Sequence, residues 1–149
     1  MSELPSNDER VTRLKTPEEC EQFAINVQNR LPLHALAAKR RAVELKASQY
    51  GTSSQVEQEA IAAVYAYERI LSDKAGKKIY ASRTWQMIKR HGIVEAIERV
   101  VKRKDETTGF QALVDVGLED YAFEAVVLRH SENFSQEAIN SSKQRLDID

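Results

Sequence analysis

The 149-residue chain holds one cysteine, three prolines and five glycines, and each shortage excludes a class of protein. The lone Cys20 leaves no intramolecular disulfide and no multi-cysteine zinc or iron–sulfur site. So few glycines and prolines cannot supply the reversals that a many-stranded protein needs. No window approaches the 18 or so apolar residues of a membrane span, so no membrane partner is expected. The opening MSELPSNDERVTRLK carries acids and polar residues where a signal peptide has an apolar stretch, and a cytoplasmic location is expected. Charge of one sign is also missing: 22 basic against 23 acidic residues give a net of -1, which by itself names no partner.

Familiar catalytic apparatus is lacking too. Neither G-x-x-x-x-G-K-[ST] nor G-x-G-x-x-G occurs, so no phosphate cradle forms from a glycine loop. His34, His91 and His130 have no histidine four residues away, and Leu31, Ile88 and Val127 precede them by three, which removes H-E-x-x-H and Glu-x-x-His metal patterns. Cys20 lies in an apolar stripe and reads as a small core residue rather than a nucleophile. Adjacent acids such as Glu18 with Glu19 sit in helix first turns, where they complement the dipole. The expectation is a protein without cofactor or metal and with no recognisable catalytic motif, an enzyme of unfamiliar type being the one catalytic reading left open.

What is present is helical periodicity. TPEECEQFAINVQNRL opens with Thr16 as cap, Pro17 at the first helical position and Glu19 three residues after the cap, a capping box. Cys20, Phe23, Ala24, Val27 and Leu31 then recur at steps of three and four, and Pro32 is expected to end the element. A second helix is predicted from Leu33 to about Gln49, with Gly51 stopping it. A third, the longest, starts at Ser53 or Ser54 with Glu57 and runs to Gly76. Ser82 is read as the cap of RTWQMIKRH, and Gly92 separates it from IVEAIERVVKRK. After a polar turn DETTG come FQALVDV closed by Gly117, one helix over LEDYAFEAVVLRH, and a polar last helix SQEAINSSKQRL. KKIYA has strand character but is too short and isolated to seed a sheet. The predicted fold is all-α, a single-domain irregular bundle of six to eight helices: a flexible arm over 1–15, a single helical domain over 16–146 and a tail over 147–149.

Charge is distributed unevenly along this pattern. From Lys74 to Lys104 ten basic residues face only Glu95 and Glu98, a net of +8, whereas 105–149 carries ten acids against Arg129, Lys143 and Arg145, a net of -7. Lys and Arg in the first region would displace counterions from phosphates, so Lys77, Lys78, Arg83, Lys89, Arg90, Arg99, Lys102 and Arg103 are the candidate nucleic-acid-binding residues. Arg40, Arg41 and Lys46 are candidates to extend the same surface. The competing expectation is that the basic region packs beside the acidic third in surface ion pairs.

SRTWQMIKRHGIVEAIERVV has the outline of a helix-turn-helix, but Ile88 stands where close crossing favours a small residue and Glu98 where an inward apolar residue is needed. Trp85, beside Met87 and Ile88, reads as a core anchor rather than a base-stacking platform. The apolar residues Leu118, Tyr121, Phe123, Ala125, Val126, Val127 and Leu128 exceed one helical stripe, so their segment is either central or shared with a partner. Two functions follow: a non-enzymatic adaptor or regulatory protein that binds nucleic acid through residues 74–104, or a helical protein–protein interaction module, as a homodimer or with another protein.

Overall fold

The computed structural model describes residues 4–103 and 109–147, so the expected turn over 105–109 falls outside the described residues except for Gly109, and the tail over 147–149 except for Asp147. The described residues form nine α-helices, one of them a single turn, and no strand. The all-α expectation holds, and KKIYA is an extended connection. The helices gather into two compact units, Met1–Gly51 and Thr52–Asp149.

The first unit contains α1 (Glu9–Thr12), α2 (Pro17–Val27) and α3 (Pro32–Tyr50). Thr16 caps α2 as the sequence implies: its side chain accepts the Glu19 N–H at 3.0 Å and Glu19 accepts the Thr16 N–H at 3.0 Å. Such a cap contributes about 0.5–2 kcal/mol. The helix stops at Val27, four residues before the expected end, and Pro32 is the first residue of α3 rather than the terminator of α2. Proline suits that position because the N–H it lacks would have had no helical partner.

Cys20, Ala24 and Val27 on α2 meet Ala35, Ala38 and Ala42 on α3, with Leu14 completing the cluster. Small side chains on α3 bring the two helices close, and burial pushes the Cys20 thiol pKa up, as befits a core residue. Part of the segment expected to be a flexible arm is structured: Asp8 caps α1, and Val11 and Leu14 are buried. The Arg41 guanidinium donates to the carbonyls of Leu14 at 2.8 Å and Thr12 at 3.1 Å, which satisfies the last backbone acceptors of that segment.

The second unit contains α4 (Gln55–Ala75), α5 (Ser82–His91), α6 (Ile93–Lys102), α7 (Gly109–Asp115), α8 (Phe123–Arg129) and α9 (Gln136–Arg145). α4 is the longest element, as expected, with Ser54 as cap and Gly76 in the left-handed conformation (φ 68°) that closes it. Its core joins Ala60 of α4, Ile97 and Val101 of α6, Val127 of α8 and Ala138 of α9. The helix expected over LEDYAFEAVVLRH is broken: a 3-10 turn over Glu119–Tyr121 is followed by Ala122 in extended conformation, and α8 begins at Phe123. The break turns more than one face inward, and Leu118, Val126 and Val127 are fully buried. The surplus of apolar residues is therefore largely absorbed by the unit's own core.

Candidate functional site

α5 presents two contrasting faces. At 100° per residue, Thr84 and Ile88 share the inward side and are buried, with Trp85 beside them half-buried. Arg83, Gln86, Lys89 and Arg90 fall on the other side and are exposed. Arg83 and Arg90 stand two turns apart in nearly the same direction.

The start of α5 differs from the sequence reading. Ser82 is the first helical residue and not the cap; Ala81 precedes the helix, with no side-chain cap. The buried Glu68 of α4 holds this end instead, accepting the Ala81 N–H at 2.8 Å and the Trp85 indole N–H at 2.6 Å. The Trp85 ring also lies 5.3 Å from that of Tyr65. Trp85 is thus an anchor through its hydrogen bond and one packed face, not an enclosed core residue. No local sequence signal could reveal this tie, because Glu68 and Trp85 are 17 positions apart.

The eight candidate residues divide into two groups. Lys77, Lys78, Arg83, Lys89 and Arg90 are exposed and have no ion-pair partner among the described residues; Lys78 lies over the Tyr80 ring at 5.4 Å. Arg99, Lys102 and Arg103 are engaged. Arg99 pairs with Glu95 one turn earlier at 3.1 Å, and Arg103 donates to the Met87 sulfur at 3.3 Å. Lys102 lies 3.1 Å from Glu98 and 3.8 Å from Glu137, so one member of the basic region does meet the acidic third. Arg41, bound to the Leu14 and Thr12 carbonyls, is likewise engaged.

Glu98 explains the poor helix-turn-helix fit at its position. It is inward and buried, yet its carboxylate accepts the Ser135 N–H at 3.0 Å and the Ser135 hydroxyl, thereby holding the start of α9. Burial opposes its ionisation, but those bonds and Lys102 outweigh burial, so its pKa is lowered. α6 buries Ala96, Ile97, Glu98, Val100 and Val101, which leaves it committed to packing and α5 as the helix with the solvent-facing cations. No family model, curated protein or solved structure matches this chain. The reading of its function therefore rests on its own geometry.

A second charged group braces α4 against the end of α8. Glu59 lies 2.7 Å from Arg129 and 3.1 Å from His130. Burial opposes its ionisation, but hydrogen bonds from Gln55 and Arg129, with the Arg129 charge beside it, prevail and lower its pKa from 4.5 to about 2. Because the folded value is the lower one, Glu59 stabilises the fold above pH 4.5 and loses that contribution as pH falls toward about 2. Between those limits the melting temperature of the parent should fall more steeply with acidification than that of Glu59→Gln. Parallel pH profiles would show that the carboxylate is not linked to folding.

The second unit also forms a partly open cavity of about 310 Å³ beside the start of α5. Tyr67, Phe110, Tyr121 and Phe123 form much of its wall, and Arg83, Thr84, Arg103 and Arg145 border it. Arg145 is neutralised there by Glu124, 3.0 Å away. Sequence reasoning missed this site because its wall is drawn from α4 through α9, with no contiguous motif. Among the described residues no group of histidine, cysteine and carboxylates is arranged to hold a metal, and no helix is long and apolar enough to cross a membrane.

Proposed function

We propose that this protein is a non-enzymatic adaptor or regulatory protein that binds the phosphate backbone of nucleic acid through the outer face of α5 and the preceding Lys77 and Lys78. One observation carries the reading: Lys77, Lys78, Arg83, Lys89 and Arg90 are exposed and have no ion-pair partner among the described residues. Cations already held in ion pairs gain little from a phosphate, whereas unpaired ones release condensed counterions at full effect. Arg99 and Lys102, with Glu95 and Glu98 as partners, take a lesser part in this interface. Backbone contact without base reading also accords with α6 being packed rather than presented.

Binding of fluorescent duplex should weaken by roughly 500-fold between 50 and 200 mM salt if all five cations contact phosphates, from a slope near -0.9 per contact. The Arg83→Gln, Lys89→Gln, Arg90→Gln triple variant should stay folded, bind more weakly and lose about 2.7 from the magnitude of that logarithmic slope. Equal affinity and slope in the folded triple variant would remove α5 from the interface. An absence of salt-dependent binding in the parent would leave the protein–protein interaction module as the better reading.

A further inference from the structure

The cavity in the second unit has a composition that backbone binding does not require. Its volume of about 310 Å³ is room for roughly ten water-sized atoms, at the lower end of the range for small-molecule sites. Four aromatic rings, Tyr67, Phe110, Tyr121 and Phe123, supply flat apolar walls suited to a compact ring system.

One side of the cavity is different in character. Arg83 borders it without an ion-pair partner among the described residues, and Arg103 stands on the same border. Arg145 and Glu124 cancel one another there, which leaves Arg83 as the cation on that border without an ion-pair partner among the described residues. Thr84 lines the cavity with 9% of its surface exposed, and its hydroxyl has no hydrogen-bond partner among the described residues. The hydroxyl is not sealed away with the buried unpartnered atoms, so it is open to a ligand in the cavity.

We propose that this cavity binds a small organic carboxylate with an aromatic body. The body lies against Tyr67, Phe110, Tyr121 and Phe123. The carboxylate takes the Arg83 guanidinium, whose planar fork matches its two oxygens, and the Thr84 hydroxyl. The inference shares Arg83 with the nucleic-acid reading but is separable from it, since it also uses Thr84 and the cavity wall and makes no use of Lys89 and Arg90.

Calorimetric titration of the full chain with 1-naphthoate, its neutral counterpart 1-naphthalenemethanol and 1-naphthyl phosphate tests it. Naphthoate should bind one to one, with the alcohol at least about tenfold weaker, since a hydrogen bond to a charged group is worth that much or more. Arg83→Gln should weaken naphthoate about tenfold and leave the alcohol unchanged. Thr84→Val, which keeps the shape and removes the hydroxyl, should weaken naphthoate severalfold without altering duplex binding. Lys89→Gln with Arg90→Gln should leave naphthoate binding intact while weakening duplex binding, so the two readings can fail separately. No naphthoate binding at millimolar concentration, equal binding of the alcohol, or an unaffected Arg83→Gln would overturn the proposal. Binding of the phosphate more than tenfold tighter than naphthoate would overturn the carboxylate as head group.

Discussion

Ile97→Ala should destabilise the second unit by about 2–5 kcal/mol, the range for truncating a buried isoleucine whose surroundings cannot collapse into the space. Ile97 is fully buried among Ala60, Val101, Val127 and Ala138, which come from α4, α6, α8 and α9. The alanines on either side are already at minimum size, and a valine cannot extend to fill the void. Chemical denaturation should show a lower midpoint with an unchanged slope, because the surface exposed on unfolding stays the same. Ile97→Val, which removes one methylene, should cost about 0.5–1.5 kcal/mol. Equal losses for the two variants would mean that the site relaxes and that this cluster is not the unit's rigid centre.

Glu68→Ala should cost about 2–3 kcal/mol and loosen α5, because two donors depend on one carboxylate. The Ala81 N–H is buried and the Trp85 indole N–H is half-buried; leaving such donors unpaired costs about 1–3 kcal/mol each, with water recovering part at the more open site. The carboxylate also stands at the positive end of α5, where a negative charge is favoured by the helix dipole. Glu68→Gln keeps an accepting carbonyl in the same place and should retain most of the stability. Trp85 fluorescence reports the outcome directly: in Glu68→Ala the indole loses its charged partner, so its emission and its accessibility to iodide should both change. Unaltered emission and melting in Glu68→Ala would show that the start of α5 is held by packing alone.

These two residues mark the boundary between what is legible along the chain and what is not. Ile97 was identifiable as a core residue from its spacing with Ile93, Val100 and Val101, since a stripe of period 3.6 has to be buried whatever it meets. Glu68 carried no such sign, because a glutamate on a long helix is ordinarily a solvated one. The five exposed cations were legible as a cluster of charge. That Arg99 and Lys102 spend theirs on Glu95 and Glu98 follows from helical spacing of four residues, which the sequence also contains.

The sequence by itself determined the all-α class, the capped start at Thr16, the glycine-closed end of α4 at Gly76 and the charge asymmetry, because each depends on residues within one or two helical turns. Only the tertiary structure decided that Pro32 begins a helix, that Ala122 divides one, that Glu68 replaces a cap for α5, and that rings from three helices and a 3-10 turn line a partly open cavity beside Thr84. Such features join groups far apart in the chain, and their energies come from burial and from donors that would otherwise go unpaired. Those quantities exist only once the helices have packed.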